Sequence, residues 1–449
     1  MTTPAVGQTA FKVVTVRKVR VHIVPFILVL MVIASLDRLN IGFAALTMNK
    51  DLAITSQQYG FLAGIFFIGY FIFEIPSNLL LHRIGARVWL ARILVSWGIV
   101  AMLTGFAKTA GHVYVLRFLL GVAEAGYFPG IVLYLTYWFR QRELAQTIAL
   151  FITANPVANI LGAPLSGAIL DHVHWFGVSS WRWLLILEGV PAIVGGILTY
   201  FLLPGKPAEA RFLTPREKDW IVAELAHEGQ QKTATSQVTA GHALAHGRVW
   251  YLTVIYFLAM IGWQSLALWM PQIMKDFSRQ YSNTTIGILV MISYIVALIV
   301  MIFVAHSSDR TLERRYHAGI PLLIGAISLA LLAKGVTSSV FVSVVFWCFA
   351  VSGICSLWGP FWALPNEFLA GYSAATGIAL INSIGNLGGF FGSYTIGAIS
   401  KRTGSFRGGL LFLALSFFTS AVLMLALRKR REPQAAGDSP VHASIELQS

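Results

Sequence analysis

Apolar residues gather in twelve stretches, most of about 20 residues, the length a helix needs to cross the hydrocarbon of a bilayer. The pattern predicts spans over approximately Val21–Ala44, Tyr59–Leu81, Val88–Phe106, Val113–Phe139, Ala145–Leu170 and Trp181–Leu203. After a polar interval it predicts six more, over Trp250–Ile273, Ser282–Ala305, Ala318–Ala333, Ser339–Leu364, Ala374–Ile399 and Gly408–Leu427. The expected organisation is therefore a polar tail (1–20), a six-helix bundle (21–203), a central loop (204–249), a second six-helix bundle (250–427) and a terminal tail (428–449).

Within the central loop, Thr214 can cap a helix, Pro215 suits its first position and Glu217 completes a capping box, so a short surface helix is expected there. The polar stretch Gly229–Gly247 is expected to be mobile; its His242 and His246, four apart, lack the further ligands that a metal site needs.

Composition agrees with a polytopic membrane protein. The 449 residues are 56% hydrophobic and 12% charged, against about 25% charged in a soluble domain. The net charge of +14 does not point to nucleic acid, because the basic residues sit in short clusters between apolar runs. With the N-terminus inside, the cytoplasmic segments hold roughly 22 Lys and Arg and the outer loops roughly nine, which places both termini in the cytoplasm. Arg428-Lys429-Arg430-Arg431 fits that rule as a stop signal. The first apolar run is too long for a signal-peptide core, so it reads as an uncleaved span. Cys348 and Cys355 share one apolar run and read as packed thiols.

Charges inside the spans change the picture from architecture to function. A charge within the bilayer costs a few kcal/mol at least and nearly always faces a bundle interior or a watery cavity. Arg117 and Glu124 lie seven apart, nearly two turns, and so fall on one helix face; Asp37-Arg38 is the other pair. Counted from the outer ends of their spans, all four reach depths of about 6 to 16 Å and can line one cavity. Arg38 and Arg117 are the candidates to bind a carboxylate, because guanidinium presents a fork that matches carboxylate oxygens. Asp37 and Glu124 are the candidates for proton coupling, since desolvation and nearby arginines press on them in opposite directions. The bland alternative is a pair of internal ion pairs, Asp37 with Arg117 and Arg38 with Glu124, that only hold helices together.

The second half supplies neutral recognition. Asn382 and Asn386 share a face of the eleventh span, with Ser383 beside them; Gln264 on the seventh span and Trp358 on the tenth can wall the site. Trp263, Trp269, Phe361 and Trp362 could join them, although packing is the default for aromatic residues in such a chain. Glu74 is expected to pair with a neighbouring helix or a polar cavity in a structural role, Arg182 and Glu188 read as structural, and Glu367 as a helix cap or gate contact. Register shows an internal repeat: an offset of 227 carries Asn159, Gly162 and Ser166 onto Asn386, Gly389 and Ser393, and the basic loop at Arg83 onto that at Arg310.

Twelve spans in two related halves, with basic loops after the second and eighth, resemble the major facilitator superfamily. The first such loop departs from the usual pattern at Asn78 and His82 but keeps Arg83, Gly85 and Arg87; the second keeps Asp309-Arg310 and Arg314-Arg315. The resemblance implies a gating role for Arg83, Arg87, Asp309, Arg310, Arg314 and Arg315. Leu36-Asp37-Arg38-Leu39-Asn40, Gly69-Tyr70 to Glu74-Ile75-Pro76-Ser77-Asn78, Arg117 to Glu124-Ala125, Ser180-Trp181-Arg182 and Gly377 to Asn382-Ser383 and Gly389 are similar to the anion:cation symporter family within it. That likeness, over nearly the whole chain, implies proton-coupled uptake of a small organic carboxylate such as tartrate, phthalate, hydroxyphenylacetate or a hexonate. Many sugar-acid members carry tyrosine where this chain has Ser35, which weakens that substrate class.

No phosphate loop, metal-ligand motif or nucleophile-base pair points to an enzyme. The expected function is symport by alternating access, with the proton as the only coupling ion and no cofactor. An anion exchanger using the same arginines and a non-transporting sensor are the alternatives. The expected setting is the bacterial inner membrane, with the chain acting as a monomer.

Overall fold

The computed structural model describes residues 4–235, 246–335, 339–367 and 371–427 and is almost wholly helical. The first bundle comprises α1 (Pro4–Asp51), α2 (Ser56–Ile84), α3 (Ala86–Thr104), α4 (Ala110–Glu124) with α5 (Tyr127–Thr136), α6 (Gln141–Ile152) with α7 (Ala154–His172), and α8 (Ser180–Leu202). A connecting helix, α9 (Pro215–Thr235), leads to the second bundle: α10 (Gly247–Phe277), α11 (Asn283–Thr311), α12 (Arg315–Lys334), α13 (Val340–Ala363), α14 (Gly371–Asn386) with α15 (Gly388–Thr403), and α16 (Arg407–Ala426). Among the described residues, eleven helical runs are long and apolar enough to cross a membrane. The twelfth expected span, the eleventh in chain order, is divided between α14 and α15 at Leu387. Leu387 keeps helical angles, so the two halves form one nearly continuous rod.

Helix starts follow local chemistry. Thr55 and Gln58 form a capping box at α2, Thr109 caps α4, and Ser282 caps α11. The capping box expected at Thr214 and Glu217 is present, with the Thr214 backbone N–H donating to Glu217 Oε2 at 2.8 Å. Two expectations are corrected. The polar tail is no separate segment, because α1 begins at Pro4 and its charged first turns are held by α9: Lys18 Nζ lies 2.7 Å from Glu217 Oε1, and Phe11 meets Trp220 edge to face at 6.0 Å. Likewise α9 runs to Thr235, through the start of the stretch expected to be mobile. His242 and the basic run from Arg428 lie outside the described residues; His246 caps α10, accepting from the Arg248 backbone N–H.

The bundles pair through α2 with α15, α7 with α11, and α1 with α10. The 227-residue offset carries the second span onto the eighth and the eleventh onto the fifth, so it exchanges the first two of these contacts. That is the pseudo-two-fold relation the repeat implies.

The bundles meet tightly on the face away from the chain termini. A Cβ on Gly60 would run into Ser393 O, one on Gly397 into Ser56 O, one on Gly167 into Asn283 O, and one on Gly287 into Ala163 O. Glycine lets backbone touch backbone there. Asp171 at the end of α7 accepts from the backbone N–H groups of Asn283 (3.2 Å) and Thr284 (2.7 Å), satisfying orphan donors at the start of α11. Tyr59 donates to Leu268 O at 2.8 Å, and Asn49 to Gln272 at 3.1 Å. This face is shut.

Candidate functional site

The charged residues of the first bundle converge, but not as one symmetrical set. Arg38 Nε donates to Glu124 Oε1 at 2.6 Å, joining α1 to α4. The Arg38 side chain is 29% exposed and that of Glu124 is 3% exposed, so part of the arginine stays accessible while its carboxylate partner is buried. Glu124 ends α4 because the chain turns out of the helix directly after it: Ala125 is extended and Gly126 is left-handed, with φ +84°. Ser77 of α2 holds that turn by donating to Ala125 O at 2.6 Å while accepting from Trp89 Nε1 at 3.0 Å. The pattern of apolar residues predicts an unbroken fourth span; the structure breaks it beside its only acid.

Asp37 faces the other way. Its carboxylate accepts from Trp97 Nε1 on α3 at 2.5 Å and from Asn40 at 3.4 Å, and it is 2% exposed. Both of its oxygens are therefore taken by neutral donors, and the bland Asp37–Arg117 pairing is not what holds it. Asn40 also faces Glu188 of α8, whose Oε1 accepts from Ser166 at 2.7 Å and whose buried Oε2 has no hydrogen-bond partner.

Arg117 is buried, and its Nε has no hydrogen-bond partner. Its guanidinium carbon stands 5.2 Å from the centre of the Phe66 ring; that of Arg38 stands 5.4 Å from the same ring and 5.2 Å from Tyr70. One aromatic ring thus supports both cations through its electron-rich faces. Phe66, a turn before Tyr70 on α2, has no distinguishing mark among thirty phenylalanines, and Tyr70 is marked in the sequence only as part of the motif that begins Gly69-Tyr70. Trp97 was equally silent, since a tryptophan in an apolar run reads as packing.

In the second bundle, Ser383 donates to Glu74 Oε2 at 2.8 Å and Asn382 to Glu74 Oε1 at 3.4 Å, while Tyr256 donates to Asn382 Oδ1 at 3.3 Å. Trp358 meets Tyr256 and Trp263 edge to face, each at 5.6 Å. Gln264 and Asn386 are each 9% exposed. Ser35 donates to Asn155 on the neighbouring α7 at 3.0 Å.

Of the loop residues expected to gate, Arg87, Asp309, Arg314 and Arg315 are ion-paired. Arg87 pairs with Glu209 at 3.3 Å and Arg314 with Asp309 at 2.5 Å; Arg315 pairs with Glu313 at 3.2 Å and caps the last span through Leu427 O at 2.7 Å. Arg83 and Arg310 are exposed. Arg182 caps α3, donating to Gly105 O and Ala107 O.

The sequence profile of the Major Facilitator Superfamily matches residues 27–393 and again 252–447. A protein of Agrobacterium vitis named "Putative tartrate transporter" is 46% identical over 420 residues, covering 93% of this chain and 92% of that protein. The inner membrane transport protein RhmT of Escherichia coli K12 is 35% identical over 424 residues, covering 94% and 97%. Among solved structures, a D-xylose-proton symporter superposes with a TM-score of 0.73 at 16% identity, covering 90% of this chain and 97% of that one, a likeness of fold alone.

Proposed function

Since this chain belongs to the major facilitator superfamily and is a multi-pass membrane transporter rather than an enzyme, we propose that it takes up a small organic dicarboxylate of the tartrate class together with protons. The observation that carries the reading is the Arg38–Glu124 pair at 2.6 Å, partly open to solvent, beside a second guanidinium whose Nε has no partner. A carboxylate needs such a cation, and Arg38 is the one an arriving anion meets first. Glu124 already occupies it. Protonating Glu124 releases Arg38 for substrate, so the proton removes a negative charge as the anion adds one. Asp37, held by Trp97 and Asn40, is the second proton candidate, and Arg117 completes the anion site when the cavity rearranges.

With both termini cytoplasmic, the glycine seam lies on the outer face, and alternating access then requires that this seam open in the other half of the cycle. Relatives named for tartrate and for inner-membrane transport support the substrate class and the bacterial inner membrane as the setting.

The test is uptake of tartrate into proteoliposomes under an imposed inward proton gradient. Accumulation without internal anion is expected. A strict requirement for an internal anion would instead make the protein an exchanger. Glu124→Gln should keep tartrate counterflow and lose gradient-driven accumulation; accumulation at the unsubstituted level would remove Glu124 from the coupling.

A further inference from the structure

Glu74 lies on α2 of the first bundle, yet the hydrogen bonds its carboxylate accepts from side chains come from α14 of the second. It is 5% exposed, and both donors are neutral. An acid buried this deeply, hydrogen-bonded only by a neutral amide and a neutral hydroxyl with Arg38 as its nearby cation, is a costly way to join two helices. Two small apolar side chains would join them at lower cost.

The donors are built to take a carboxylate. Tyr256 donates to Asn382 Oδ1, which fixes the amide so that its Nδ2 points at the acid, and Ser383 Oγ reaches the other oxygen at 2.8 Å. Tyr256 is itself fixed, stacked on Phe361 at 5.3 Å and lying against Gly385, where a Cβ would strike its ring. Depths agree as well: Glu74 is about 15 Å from the Ile84 end of α2, and Asn382 about 16 Å from the Gly371 end of α14.

We propose that Asn382 and Ser383 form a second carboxylate subsite and that Glu74 is its tethered occupant in the empty transporter. The inference rests on the arginine site of the proposed function for the first carboxylate. A dicarboxylate puts its far carboxylate onto Asn382 and Ser383 and expels Glu74, which unties α2 from α14. A monocarboxylate has no second group to do so. Glu74 therefore makes the second bundle answer to two-headed acids and ties the bundles together while the site is empty.

Calorimetric titration of the purified transporter with tartrate and with lactate tests this. Glu74→Ala should bind tartrate several-fold more tightly with lactate unchanged, and Asn382→Ala with Ser383→Ala should reduce tartrate toward the lactate level. Tartrate affinity unchanged or weakened in Glu74→Ala overturns the proposal. Should that variant fail to fold, Glu74→Gln, which keeps the volume and loses the charge, carries the same expectation. Should neither acid bind the unsubstituted protein, the arginine-site reading fails and the subsite falls with it. The tie between bundles is then judged by hydrogen exchange over residues 371–386 without ligand, where faster exchange in Glu74→Gln supports it and unchanged exchange removes it.

Discussion

At the scale of residues, two guanidinium groups that look equivalent in the sequence have different surroundings. Arg38 has an acid at 2.6 Å and an opening to solvent; Arg117 has a ring at 5.2 Å and a bare Nε. Removing Arg117 therefore leaves no hydrogen-bonded acid stranded, and the fold should tolerate it. Arg117→Ala is expected to keep the melting temperature within a few degrees while weakening tartrate binding by about 10- to 100-fold, the worth of a charge-assisted hydrogen bond. Titration of the purified variant checks both halves of that statement. The four membrane charges were legible because a charge in an apolar run is conspicuous. Their partners were not: Trp97 and Phe66 belong to the residue types that fill any membrane helix, and only the fold shows which one meets an acid or a cation. Asn382 and Ser383 were legible as polar residues on one face, whereas their bond to Glu74 depends on how two distant segments approach.

At the scale of elements, apolar length located the eleven helical runs long enough to cross a membrane among the described residues, and the divided run at α14 and α15, but could not show where a span bends. The fourth breaks at Gly126, whose φ of +84° suits glycine and whose missing Cβ leaves room for Ser77 Oγ. That break puts Glu124 at a helix end, where its carboxylate can turn to α1. Gly126→Ala should cost about 1–3 kcal/mol from backbone strain and steric conflict, read as a lowered melting temperature. It should also reduce uptake, because the turn that aims Glu124 is disturbed. The extended α1 was missed for a different reason: its first turns carry Lys12, Arg17, Lys18 and Arg20 and read as a tail, but α9 provides Glu224 for Lys12 and Glu217 for Lys18, and α6 provides Gln146 for Arg20.

At the scale of the molecule, the repeat seen at an offset of 227 residues becomes the exchange of two inter-bundle contacts, α2 with α15 and α7 with α11. Both contacts depend on glycines that were visible in the sequence only as small residues in spans. Gly60→Val puts a branched side chain into the backbone of Ser393. The variant is expected to favour the state opened on that face, shown by faster labelling of cysteines introduced along the seam, and to lose net uptake while the purified protein stays folded.

The seam is built from backbone contact and hydrogen bonds in which the charged groups, Asp171 and Lys401, meet neutral partners, whereas the attachments of α9 and its flanks are ion pairs: Lys18–Glu217, Arg87–Glu209 and Arg140–Glu224. Dissolved salt screens partly exposed charges over distances of about 8–10 Å at 0.1–0.15 M and does nothing to steric fit. Raising ionic strength should therefore loosen the connecting helix from the bundle beneath it while leaving the glycine seam closed.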